Sequence, residues 1–118
     1  MPAKLSTHVL DTANGCPASG MEIELWSIDG EDRKLLKKLF TNQDGRTDQA
    51  LLNAEELAAG NYELIFHVGE YFAQKTKVET PLPFLDRVPV SFGISDANFS
   101  YHVPLLVSPW AYSTYRGS

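Results

Sequence analysis

Tyr101-His102-Val103-Pro104-Leu105-Leu106-Val107-Ser108-Pro109 is the stretch on which the fold turns. From Phe99 to Val107 the odd positions are Phe, Tyr, Val, Leu and Val; the even positions are Ser100, His102, Pro104, Leu106 and Ser108. A period of two is that of a strand with one face in a core. Phe99, Tyr101, Val103, Leu105 and Val107 are therefore expected inward, with His102, Pro104 and Leu106 on the opposite face. Ser108-Pro109 breaks the strand, and Trp110 to Tyr115 is expected as a second short one, followed by Arg116-Gly117-Ser118. Terminal residues normally fray. An aromatic, an arginine and a serine directly after a strand point instead to a tail that is held in place and used.

Working outward, the other segments show the same short-strand rhythm. Leu5 to Asp11 is a first strand with Leu5 and Val9 inward and His8 and Leu10 outward; the turn-rich Thr12-Ala13-Asn14-Gly15-Cys16-Pro17 ends it. Met21 to Leu25 alternates cleanly and Asp29-Gly30 turns the chain. Tyr62 to Val68 is a strand with Tyr62, Leu64, Phe66 and Val68 inward. Val88 to Ser95 alternates as well, with Pro89 and Gly93 on its outer face, as suits an edge strand. Asn53 with Glu56 forms a single capped helical turn, Glu70 to Lys77 a short helix, and Thr80-Pro81-Leu82-Pro83 a rigid connector. Arg33 to Thr41 stays open between two readings. Leu35, Leu36, Leu39 and Phe40 have helical spacing, yet the neighbouring segments are strands. Short strands at regular spacing with turns between them describe a two-sheet sandwich.

Composition narrows the function. The 118 residues are the size of one domain, 1–118, with 43% hydrophobic content that argues against disorder. A net charge of −5 disfavours nucleic acid and anionic membrane as partners. The one cysteine permits no internal disulfide and fits a reducing compartment. No run approaches the roughly 18 apolar residues of a membrane span, and Met1-Pro2-Ala3-Lys4 leads into structure without a signal region. A cytoplasmic location is the expectation.

Three features carry possible chemistry. His8 and His102 point outward by parity, Arg46 follows the tight turn Asp44-Gly45, and Tyr115, Arg116 and Ser118 occupy the tail. Taken singly, an outward histidine or a loop arginine is most often a solvated side chain. His67 has nothing polar patterned around it, and Glu22 and Glu24 form an exposed acidic strand face. Cys16 has no histidine at nucleophile spacing, no cluster has metal-ligand spacing, and no glycine-rich phosphate loop is present. What lifts the reading is the outer face as a set: His8, Leu10, His102, Pro104, Leu106, Ser113 and Tyr115 share one parity. A partly apolar face with two imidazoles and a phenol makes sense when it is buried between subunits.

These residues carry a resemblance. Ser6-Thr7-His8-Val9-Leu10-Asp11, Gly45-Arg46-Thr47, Tyr101 to Pro109 and the terminal Tyr115-Arg116-Gly117-Ser118 together resemble the 5-hydroxyisourate hydrolases, the transthyretin-related family of urate breakdown. The likeness spans essentially the whole chain, with no departure at the signature positions. The tail and both histidines are specific to the hydrolases; Leu105 to Pro109 is shared with transthyretin and speaks to fold alone.

The resemblance implies an all-β, transthyretin-like (prealbumin-like) sandwich of two four-stranded sheets with one short helix. It decides Arg33 to Thr41 for a strand. It implies a homotetramer, a dimer of dimers, with sites in the channel between dimers. The implied reaction is hydrolysis of the cyclic amide of 5-hydroxyisourate to 2-oxo-4-hydroxy-4-carboxy-5-ureidoimidazoline, without metal or other cofactor. Such a reaction needs an activated water, a stabilised oxyanion and a proton for the leaving nitrogen. His8 and His102 are expected to activate water and move protons, either being the base; Arg46 and Arg116 to hold the anionic substrate; Tyr115 to bond its ring; and Ser118, by its hydroxyl or terminal carboxylate, to orient a histidine. A carrier that binds an aromatic ligand in the same channel, and a structural sandwich module, are the competing readings. A carrier has no need of proton donors there.

Overall fold

A computed structural model describes residues 2–76 and 81–117. One sheet is built on β4 (Glu22–Asp29), which pairs antiparallel with β5 (Asp32–Phe40) and β6 (Gly60–His67); β6 in turn pairs with β7 (Arg87–Ile94), giving the order β5-β4-β6-β7. Alternation sends Ile23, Leu25, Leu64, Phe66, Val88 and Val90 into the core. The second sheet contains β2 (Val9–Asp11), β3 (Cys16–Pro17), β9 (Leu105–Val107) and β10 (Tyr112–Thr114) in the order β10-β9-β2-β3. It contributes Val9, Leu105 and Val107, each fully buried. β1 (Leu5–Ser6) and β8 (Tyr101–His102) pair in parallel, and β2 and β9 continue that parallel ladder. The result is the expected transthyretin-like sandwich. A short helix, α1 (Val68–Thr76), follows β6.

The open segment is a strand. β5 pairs with β4 from Phe40 opposite Glu22 to Asp32 opposite Asp29, and the register shifts between Leu25 and Trp26, leaving Leu36 without an opposite residue. A bulge lets consecutive residues lean to the same side. Leu36 and Leu39 therefore both pack on the core at a spacing of three, which imitates a helix, while Leu35 and Phe40 stay 38% and 62% exposed.

Other boundaries move for local reasons. Phe99, expected inward, is 60% exposed because its N–H donates to the Asp96 carbonyl (3.2 Å), closing a turn before the strand begins at Tyr101. Pro104, expected outward, is buried. The Leu5 to Asp11 segment is two short strands, and the second C-terminal strand is confined to Tyr112–Thr114. Val68 is buried as expected but opens α1, its N–H bonded to the Asp86 carbonyl at 2.9 Å. Lys77, the expected end of the helix, and Thr80 of the connector lie outside the described residues. Asn53 and Glu56 do form the reciprocal cap: Asn53 Oδ1 accepts from Glu56 N at 2.9 Å, and Glu56 Oε1 from Asn53 N at 3.0 Å.

His67 and Glu24 overturn the local reading of both residues. Each is buried, with His67 Nε2 2.5 Å from Glu24 Oε2. Trp26 Nε1 donates to the other Glu24 oxygen at 2.8 Å. Burial raises the Glu24 pKa, but the bonds from His67 and Trp26 outweigh it and hold the carboxyl below its ordinary value.

Two stability measurements follow. Phe66→Ala, at a fully buried site, is expected to lower the unfolding free energy by about 3–5 kcal/mol in chemical denaturation. Because the Glu24 pKa is depressed on folding, its contribution is present above the ordinary 4.5 and is lost as pH falls through the lower folded value. Glu24→Gln is therefore expected to be less stable than wild type at neutral pH, the gap closing in acid; a gap that widened in acid would contradict this.

Candidate active site

Ser6, His8 and Leu10 lie on the outer face of the second sheet with His102, Leu106 and Ser113. Register places Ser6 beside His102, Leu10 beside Leu106, and Leu106 beside Ser113. Ser6, His8, Leu10, His102 and Leu106 are half-buried. Strand parity gathered His8, Leu10, His102, Leu106 and Ser113 onto this face; Ser6 was not among them, Pro104 is buried, and Tyr115 lies just past β10.

His8 is fixed by a loop. Its Nε2 is 2.8 Å from the Asp44 carbonyl oxygen. A carbonyl only accepts, so Nε2 carries the hydrogen and the neutral ring keeps its lone pair on Nδ1. The loop is stitched by Asn42, whose Oδ1 accepts from Asp44 N (2.9 Å) and Arg46 N (3.2 Å). Gly45 adopts φ +76°, and its carbonyl accepts from Val9 N at 2.8 Å. A Cβ there would stand 2.3 Å from the Val9 carbonyl oxygen, so only glycine lets the loop lie this close to the sheet. Arg46 is left exposed beside it, and among the described residues no carboxylate lies within ion-pair distance of its guanidinium.

His102 is held on two sides. Ser6 Oγ is 2.9 Å from Nδ1. The tail returns across the ring: Gly117 N donates to the His102 carbonyl at 2.7 Å, and a Cβ on Gly117 would meet His102 Cδ2 at 2.7 Å. Among the described residues, His102 Nε2 has no hydrogen-bond partner. Arg116 fastens the tail, its guanidinium 4.3 Å above the Tyr101 ring centroid and donating to the Ser100 carbonyl at 3.3 Å. Phe99, Ser100, His102, Tyr115, Arg116 and Gly117 line an open cleft of about 720 Å³. Burial, then the positive charge of Arg46, then His8 and Lys4, push the His102 pKa below its ordinary value. Ser118 lies outside the described residues.

The structure thus brings His8 and Arg46 into electrostatic reach of His102, with Tyr115 and Arg116 on the same cleft as His102. Sequence reading missed Ser6, the Asp44 carbonyl, Phe99 and Gly117 as parts of this site. Ser6 has the outward parity of His8, but only the register with β8 reveals its partner. Two imidazoles and an unpaired guanidinium suit general acid–base chemistry on an anion.

The other grouping of metal-binding residue types lies on the outer face of the first sheet. Glu22, Glu24 and His67 bring donor atoms within 4.8 Å of one another, contrary to the expectation that no such cluster exists. Metal bonds of about 2.0–2.2 Å splay their donors to roughly 3 Å or more. The 2.5 Å contact of His67 with Glu24, and Arg87 Nη1 at 3.9 Å from the same oxygen, describe a hydrogen-bonded ion network instead.

Comparison with known proteins places this geometry in context. The profile of the HIUase/Transthyretin family matches residues 5–117. A 5-hydroxyisourate hydrolase of Halalkalibacterium halodurans is 54% identical over 119 residues, covering 100% of both chains. The 5-hydroxyisourate hydrolase 2 of Rhizobium meliloti is 53% identical, covering 98% of this chain and 96% of its own. Among solved structures, Klebsiella pneumoniae 5-hydroxyisourate hydrolase aligns with a TM-score of 0.79 at 36% identity, covering 98% of this chain and 99% of its own. (S)-allantoin synthase aligns at 0.89 and 47% identity; 98% of this chain is covered but only 44% of that longer one. Sea bream transthyretin, at 22% identity and a TM-score of 0.84, shares the fold.

The electrostatics predict a titration. Nuclear magnetic resonance of the His102 ring should show a midpoint below the ordinary 6.5. Arg46→Ala should move that midpoint upward by removing a nearby cation; no movement would separate the two residues.

Proposed function

The chain belongs to the HIUase/transthyretin family, and on that premise we propose how its outer sheet face performs the family's hydrolysis. The reaction is that of the full-length relatives: 5-hydroxyisourate is opened at its cyclic amide to 2-oxo-4-hydroxy-4-carboxy-5-ureidoimidazoline in urate degradation. What supports the site reading is that His8 and Arg46 both act electrostatically on His102, with Arg46 free of any described carboxylate.

Water adds to the amide carbonyl, its proton is taken by an imidazole, and the carbonyl becomes a tetrahedral oxyanion. Arg46 faces this charge with a forked pair of N–H donors, which a lysine ammonium cannot reproduce. Breaking the C–N bond requires a proton on the leaving nitrogen, and the histidine pair supplies it. His8, with its Nε2–H committed to Asp44, presents Nδ1 as an acceptor toward water or substrate. Tyr115 and Arg116 flank the cleft and hold the ring of the substrate. Ser118, which follows Gly117 in the sequence, is assigned to orient a histidine through its hydroxyl.

Residues 1–118 work as one transthyretin-like domain within a homotetramer, a dimer of dimers. Half-buried Leu10 and Leu106 beside two imidazoles make a face suited to cover by a second copy. The covered face would enclose the open cleft and shield it from bulk solvent while leaving room for the reacting water. The free thiol of Cys16 fits a cytoplasmic location.

The decisive assay mixes freshly generated 5-hydroxyisourate with the protein and follows loss of its ultraviolet absorbance against spontaneous decay; equal rates would end this reading. Arg46→Lys is expected to keep the oligomer and lose most turnover. His8→Asn and His102→Asn are each expected to cost about two orders of magnitude. Light scattering should report four chains.

A further inference from the structure

The two imidazoles of the site are held by partners of different chemistry. The Asp44 carbonyl can only accept, so it fixes one tautomer of His8. The partner of His102 is a hydroxyl, Ser6 Oγ, 2.9 Å from Nδ1, which can either donate or accept. Ser6 lies on β1 directly opposite His102 in a two-strand parallel ladder, so the contact is fixed by backbone pairing rather than by a chance rotamer. Gly117 lies flush against the Cδ2 side of the same ring, where any larger residue would displace it. With Nδ1 occupied and Cδ2 covered, Nε2 is the ring nitrogen left for chemistry.

We propose that Ser6 is a positioning residue for the hydrolysis, accepting a hydrogen bond from Nδ1–H of His102 so that Nε2 is the atom that carries the proton. The inference rests on the hydrolase reading above and adds to it a named atom and a named supporting residue. At the start of the cycle the neutral ring donates Nδ1–H to Ser6 and offers the Nε2 lone pair. Water adds to the amide carbonyl and gives its proton to Nε2. The resulting imidazolium keeps its bond to Ser6, and Nε2 then passes the same proton to the leaving nitrogen as the C–N bond breaks. The ring ends neutral, as it began, and Ser6 accepts throughout. Burial of His102 and the charges facing it, Arg46, His8 and Lys4, favour a ring that is neutral before and after and so returns the proton readily. Without Ser6, the ring would be free to take the Nε2–H tautomer, whose lone pair sits on Nδ1 and leaves none on Nε2 to receive the water's proton.

The test combines ring-nitrogen resonance with kinetics. In the wild-type protein labelled at histidine nitrogens, His102 is expected as the Nδ1–H tautomer at neutral pH; finding it as Nε2–H would overturn the proposal without any variant. Ser6→Ala is expected to lower kcat about tenfold or more, with KM held within about a factor of two, because the lost contact acts through His102 and not on substrate. It should also move His102 toward Nε2–H and shift the acid limb of the rate profile to lower pH, since the acceptor that favoured the imidazolium is gone. Ser6→Thr, which keeps the hydroxyl, should restore both. Wild-type turnover in Ser6→Ala with an unchanged His102 spectrum would refute the role. A wild-type protein that fails to accelerate decay of 5-hydroxyisourate would instead remove the hydrolase reading, while the resonance measurement would still decide the Ser6 contact.

Discussion

The site depends on the parallel pairing of the first strands with strands near the end of the chain. Leu5 lies opposite Tyr101, Ser6 opposite His102, Val9 opposite Leu105 and Leu10 opposite Leu106. Those partners are 96 residues apart in sequence. Side chains alternate with period two, so a slip of one residue would send His8 and His102 inward and put Val9 and Leu105 in water. The fully buried Leu5, Val9, Leu105 and Val107 make such a slip costly. Packing of apolar residues on one face thereby sets the position of the polar groups on the other.

That face is assembled from pieces with separate means of support. The Asn42 to Asp48 loop is closed by the Asn42 side chain and laid onto β2 through Gly45, which places the Asp44 carbonyl on His8 and Arg46 beside it. The tail is pinned by Gly117 to His102 and by Arg116 to Tyr101 and Ser100. Tyr101 is itself tied down, its hydroxyl accepting from Ser95 N at 3.1 Å and Asp96 N at 3.2 Å. Both imidazoles of the proposed mechanism are thus held on at least one side, the condition for groups that must not reorganise during reaction.

The opposite sheet shows the same economy put to a structural use. Its outer face buries a hydrogen-bonded His67 and Glu24 near the start of α1, with Glu22 and Arg87 close by. Asp11 does related work inside the sandwich. Burial raises its pKa, but bonds from Asn14 and Tyr71 outweigh that and keep the carboxyl low. Desolvation and the same carboxyl push the Tyr71 hydroxyl well above its ordinary value. Asp11, on the inner face of the second sheet, thus fastens the helix through Tyr71, while the polar groups on that sheet's outer face border the cleft.

Much of this was legible without coordinates. Period-two alternation from Tyr101 to Val107 and from Tyr62 to Phe66 identified strands and their inward faces, because a pleated strand imposes that period whatever its neighbours. The same parity gathered His8 and His102, and the family resemblance supplied their chemistry. What alternation cannot report is which strand lies beside which. The bulge at Leu36 disguised β5 as a helix, the Asp96 turn exposed Phe99, and the pairing of β4, β6 and β7 buried Glu24 against His67. The partners of His102 and His8, Ser6 Oγ and the Asp44 carbonyl, belong to the same class. Local sequence determined which way most strand side chains face; only tertiary structure decided what they meet there, because register joins residues that no local pattern relates.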